Sequence, residues 1–227
     1  MSETEVSGSR TLDSFLARPE ELRTPPPAAD KGGSHVGEVV ESSTTELVAE
    51  ARRLHGAPDF GAFVRIESEA QIVGVVFNAR TQSLEPNRRP TAYGKTEDEL
   101  RREQPQIFEL LRTQFEVFVL GYLDGDRLVH LYPAQPARIH SFVYPSDADE
   151  VRQLTEDQQF LRSILDATGV PADELVLATL RQALQVRSEV EGSAGDYLVR
   201  MGAELSRLLR DDYDRLSSLV RRLTSLR

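Results

Sequence analysis

One boundary constrains this chain more than any motif in it. Near Ser146 the spacing of apolar residues changes from every second position to every third or fourth. A period of two belongs to a strand with one face buried, and a period of 3.6 to a helix that buries one stripe. The chain therefore reads as a run of strands followed by a run of helices, and the fold class expected is α+β.

Residues 35–145 carry the strand pattern. "HVGEVVES" and "ELVAEAR" are two strands separated by Ser42-Ser43-Thr44, and "GAFVRIES" alternates Phe63 against Arg65. "QIVGVVFNAR" is a Val/Ile-rich strand interrupted by Gly74. "FEVFVLGYLDGDRLVHLYP" reads as a hairpin, because Asp124-Gly125 is a favoured turn dipeptide with apolar alternation on both sides. A last short strand is expected in "RIHSFVY". About six short strands with interior glycines suggest a small closed antiparallel β-barrel, since closure removes exposed edges.

Before this stretch, residues 1–34 are polar and small and include "RTPPPAADKGGS", whose prolines and glycines block regular structure. They read as a disordered leader, with Leu12–Leu22 the one amphipathic piece, a helical turn or a docking peptide. A helical insertion is expected near 96–113. "TEDELRRE" places Thr96 three residues before Glu99, the spacing of a capping box, and "PQIFELLRT" sets Ile107, Leu110 and Leu111 at helical intervals. Gly94-Lys95-Thr96 looks like the tail of a phosphate-binding loop, but that loop needs a second glycine five residues earlier and a buried strand before it. The position holds Arg89, and "EPNRRPTAY" is no apolar strand, so the tripeptide is a helix start.

Residues 146–227 form the helical domain. "SDADEVRQL" opens with an acidic first turn that suits a helix N-terminus, and Thr155 precedes Gln158 at the capping distance. Phe160, Leu161, Ile164 and Leu165 make one apolar face ending at Gly169. Pro171 starts a helix carrying Leu175, Leu177, Leu180 and Leu184. The last helix is expected to run from Asp196 to the end as one long amphipathic element, with Leu205, Leu209, Tyr213, Leu216, Val220 and Leu223 in its stripe. A stripe of that length points to a helix that extends beyond its own bundle or packs on another chain, so these residues are the candidate oligomerisation helix.

The pattern Val36-Gly37-Glu38-Val39-Val40, then Phe60-Gly61-Ala62-Phe63-Val64, then Ile72-Val73-Gly74-Val75-Val76, with "PARIHSFVYP" later, resembles the HAS-barrel. This is the small N-terminal barrel shared by HerA-type translocating ATPases and rotary ATP synthase subunits, and the resemblance covers roughly residues 35 to 145. In those enzymes barrels pack side by side into a crown that stabilises a hexameric ring and receives partner proteins. No Walker motif follows here, and the C-terminal third is helical and too short for an ATPase core. The resemblance thus implies the barrel's role without the engine: an assembly factor, an adaptor for such an ATPase in DNA processing, or an inhibitor that competes with its crown. A homo-oligomer, a HerA-type ATPase or an associated nuclease are the partners it implies.

Composition narrows the chemistry. No apolar run approaches the roughly 20 residues that cross a bilayer, and "MSETEVSGSR" lacks the pattern of a secretory signal. With no cysteine, the chain has neither disulfides nor thiolate chemistry, and a soluble cytoplasmic protein is expected. His35, His55, His130 and His140 lie far apart with no metal-ligand spacing, and Asp211, Asp212 and Asp214 sit among Arg207, Arg210 and Arg215, which offer salt bridges. No nucleophile elbow or dinucleotide turn occurs, so a non-catalytic protein without cofactor or metal is expected. Arg80, Arg88, Arg89, Tyr93, Arg138, His140 and Phe142 are the candidate interaction surface. They support a second reading, a nucleic-acid-binding barrel, because arginines beside aromatics stack bases and grip phosphates. The net charge of −10 weighs against that reading.

Overall fold

A computed structural model describes residues 34–224 apart from 86, 88, 126 and 192–194. The leader expected over 1–34 lies outside the described residues, save for Ser34.

The strands close on themselves. β1 (Gly37–Ser42) pairs with β2 (Glu46–Ala51), which pairs with β5 (Leu111–Asp124). β5 pairs with β4 (Gln71–Ser83), β4 with β3 (Phe63–Ile66), and β3 with β7 (Phe142–Pro145), which returns to β1. Every pairing is antiparallel, so the result is a six-stranded barrel, and the short β6 (Arg127–Val129) is added outside it along β5. Gly74 sits at a register shift between β4 and β5, where an added Cβ would stand 2.5 Å from the Phe118 carbonyl oxygen. The glycine lets the two strands approach at the bend.

Two apolar cores use the same strands. Val64, Ile66, Ile72, Val76, Phe115, Val117 and Val119 point into the barrel, where they meet Val39, Leu47, Ala49 and Val143. Their neighbours in sequence, Phe63, Val73, Val75, Phe77, Phe118 and Leu120, point outward and are buried as well. The cover is a helical unit of α3 (Ala148–Leu154), α4 (Gln159–Leu165), α5 (Ala172–Glu191), α6 (Gly195–Leu208) and α7 (Tyr213–Thr224). Its Phe160, Ile164, Leu175, Leu180, Met201, Leu205 and Leu219 belong to the same cluster as those outward strand residues. The barrel and the helices are therefore one compact unit with a continuous outer core.

Specific contacts fix the fit. Gly61 takes φ 83°, and an added Cβ there would lie 2.4 Å from the Ala178 Cβ of α5. The Gln182 side-chain oxygen of α5 accepts from the Phe63 backbone N–H at 3.1 Å. Arg65, on the outer face of β3, stands 3.4 Å from a Glu150 oxygen of α3 and lies over the Tyr144 ring.

Three expectations need correction. The final helix is not continuous: α6 stops at Leu208 and α7 starts at Tyr213. The cause is Asp212, whose carboxylate accepts from the Arg215 N–H at 3.2 Å and whose carbonyl accepts from Leu216, starting a new helix. Between β4 and β5 lie α1 (Glu97–Glu103) and α2 (Gln106–Glu109), but Leu111–Thr113 are strand, because β5 stays paired with β4 out to Ser83↔Leu111. Thr155 does not cap α4; its hydroxyl donates back to the Val151 carbonyl at 2.7 Å and closes α3.

Replacing Phe63 by Ala should cost about 3–5 kcal/mol in urea unfolding, since the ring is buried and edge-on to Phe160. A fragment ending at Pro145 should expose the outward apolar faces of β3, β4 and β5. It is expected to bind a hydrophobic dye and precipitate where the full chain stays in solution, and a folded, monomeric fragment would refute the shared core.

Candidate interaction surface

The residues singled out for an arginine and aromatic surface fall in three places. Arg80, on β4, is 3.4 Å from the Glu116 carboxylate of β5. Arg89 and Tyr93 come after β4 and line a hollow against α1 and α2. Arg138 pairs with Glu69 and His140 with Glu38, while Phe142 stacks on His35 with centroids 4.4 Å apart. Arg88 lies outside the described residues. Glu69 precedes the first residue of β4 and Arg89 follows its last, so a 13-residue strand, about 40 Å along the chain, separates the two groups. Arg80, Arg138 and His140 each already face a carboxylate.

The stripe taken for oligomerisation is largely spent inside the chain. Leu205, Leu209 and Leu223 are buried in the outer core and Leu216 packs against it. Tyr213, at the start of α7, is 75% exposed.

What the helices leave open is the other side of the barrel. The outward residues of β1 and β2, Glu38, Val40, Glu46, Val48 and Glu50, are not buried. A hollow of about 330 Å³ on this wall is lined by Glu41, Glu46, Glu116, Arg80 and Phe77 among others. From β6 the chain crosses the end of the barrel to β7, with Ala137 plugging the interior core. This crossing holds Leu131 and Tyr132 at 67% and 52% exposure and Ile139 at 48%, and Phe142 follows at 40%. Isolated exposed apolar residues are ordinary, and four large ones within a dozen positions make this crossing the candidate contact surface. His140, on the crossing, takes φ 72° and donates its backbone N–H to the Val39 carbonyl at 2.9 Å. That bond ties the crossing to β1. Sequence reading placed Leu131 and Tyr132 at the end of a hairpin strand and Ile139 in the last strand, which begins only at Phe142. The available signal was Pro133 and Pro136, which exclude a central strand.

The covered side has its own polar anchor. Arg187 of α5, 3% exposed, donates to the Arg152 carbonyl, the Thr155 hydroxyl and the Glu156 carboxylate at 3.1–3.2 Å and lies 4.3 Å from the Tyr197 ring centroid. A buried guanidinium persists only where several donors are met. Glu156 also accepts from Arg200 at 2.9 Å, and that bond, aided by the two guanidinium charges, holds its carboxyl below its ordinary range. Burial pushes the Tyr197 phenol up to about 12. Half-buried His130, just past β6, is pushed down by burial against the opposing charge of Asp157. Among the described residues no group of three or more histidine or acidic side chains is placed to hold a metal ion, and no helix is long and apolar enough to cross a membrane.

No family model matches this chain, and no curated protein matches it.

These shifts have signs. Folding favours neutral His130, so its contribution is present above the ordinary histidine range and lost as pH falls through it. Folding also favours un-ionised Tyr197, so that contribution holds below pH 10.0 and is lost as pH climbs through about 12. Urea unfolding across pH should show both declines; His130→Leu should remove the acid step and Tyr197→Phe the alkaline one. Unchanged profiles in either variant would refute the assignment.

Proposed function

We propose that this protein is a non-catalytic assembly or adaptor protein whose uncovered barrel wall packs against equivalent barrels, its own or those of a HerA-like ring ATPase of DNA processing. The observation that carries the reading is the asymmetry of the barrel. One side is sealed by helices in a continuous core, the β1–β2 wall is left open and acidic, and the crossing at the barrel's end keeps Leu131, Tyr132, Ile139 and Phe142 exposed. Apolar centres with a polar rim are the usual composition of a protein–protein contact. The resemblance of the strand motifs to the HAS-barrel supports the kind of partner: barrels that pack side by side in a crown.

The alternative, a barrel that grips nucleic acid, has less support. Arg80, Arg89 and Arg138 lie in separate places, Arg80 and Arg138 beside carboxylates, and the open wall adds Glu41 and Glu46.

Leu131→Glu/Ile139→Glu changes two exposed positions and should leave the melting temperature within a few degrees. It should weaken self-association, or binding to a purified HerA-type ring ATPase, by about tenfold or more in sedimentation. Arg88→Glu/Arg89→Glu should not affect that binding, Arg89 lying away from the wall hollow. Intact association of the first variant would overturn the barrel-end contact; loss of single-strand binding in the second would favour nucleic acid.

A further inference from the structure

The excursion between β4 and β5 builds a second contact feature, apart from the barrel wall. The β4–β5 ribbon continues past the barrel to Ser83↔Leu111, and α1 and α2 fold back on it. Between them is a hollow of about 200 Å³ lined by Leu100, Ile107, Phe108, Leu110, Leu111 and Tyr93, together with Ser83, Arg89, Pro90 and Thr91. Neither helix buries a single residue, so these apolar side chains surround the hollow without closing a core.

The walls are held in place without an occupant. Thr96 and Glu99 form a reciprocal cap at the start of α1, Lys95 reaches Glu103, and Glu97 accepts from Arg101 at 2.7 Å. Arg101 in turn lies 4.3 Å from the centroid of the Phe108 ring. Glu97, Glu99 and Glu103 of α1 are thus engaged locally, and Arg89 is the one charged side chain among the described residues that line the hollow.

Size and charge together define what fits. A cavity of about 150 Å³ accepts a benzene ring, whereas drug-sized ligands use pockets of about 300–1,000 Å³. A hollow of about 200 Å³ has room for one bulky side chain. The exposed guanidinium of Arg89 at its edge matches a carboxylate in two-point contact. We infer that this hollow binds a short acidic–apolar segment of a partner protein, with an aromatic or leucine side chain inserted among Leu100, Ile107 and Phe108 and a flanking Asp or Glu paired with Arg89. This contact is independent of the barrel-wall reading, since it uses none of the same residues, and each can fail alone.

The probe is a phage-displayed random dodecapeptide library panned on the folded full-length protein, with the enriched peptides synthesised and measured by fluorescence anisotropy. Enriched sequences should place Phe, Trp or Leu within a few positions of Asp or Glu. Their affinity should fall about tenfold or more in Arg89→Glu, and equally in Thr91→Trp, which fills the hollow from an exposed position. Leu131→Glu/Ile139→Glu should bind them as the parent does. No enrichment, enrichment of basic or uncharged peptides, or undiminished affinity in both hollow variants would overturn the inference.

Discussion

Strands that are apolar on both faces govern this protein. In β3, β4 and β5 alternate residues fill the barrel while those between them face outward and still need cover. A barrel alone satisfies only the first set. The outward Phe63, Val73, Val75, Phe77, Phe118 and Leu120 require a second layer, and the five C-terminal helices supply it. Glycine at position 61 and the bond from Phe63 to Gln182 set how closely α5 lies on the loop entering β3. The barrel's two sides therefore differ by necessity: one is a core and the other a surface.

That difference is the link from fold to function. β1 and β2 bury only their inward residues, so their outer faces remain half-exposed and acidic. The crossing from β6 to β7 must close the end of the barrel, and it does so with Ala137 while turning Leu131, Tyr132 and Ile139 to solvent. Buried Arg187 plays the opposite part, binding α5 to the C-terminal end of α3 through Arg152, Thr155 and Glu156. The helical layer is fastened to itself and to the barrel, which leaves the far wall as the larger candidate for a partner.

Much of the architecture was legible because period and turn chemistry are local. The β-barrel and the helical C-terminal region followed from alternation, the Asp124-Gly125 turn and the run of helical apolar stripes. The break between α6 and α7 was hidden, since Leu205, Leu209, Tyr213 and Leu216 keep helical spacing across it. What decides there is the cap at Asp212, read as one of three acids among arginines that offer salt bridges. The double burial of β4 was visible as a Val/Ile run, yet a single sequence does not say what covers the second face. The candidate surface dispersed for a similar reason: Arg80, Arg89 and Arg138 lie close in composition but at different points along a long curved strand and its flanks.

The central claim is that the uncovered barrel wall is a protein-binding surface of a machine built around a ring ATPase. Its most direct test is affinity capture of the tagged full-length protein from its own cells at near-physiological salt after nuclease digestion, followed by native mass spectrometry of the intact complex. The account predicts a stoichiometric P-loop ATPase ring, or a ring of this chain itself, that survives the nuclease. A monomer with no stoichiometric protein, recovered instead with nuclease-sensitive nucleic acid, would contradict it.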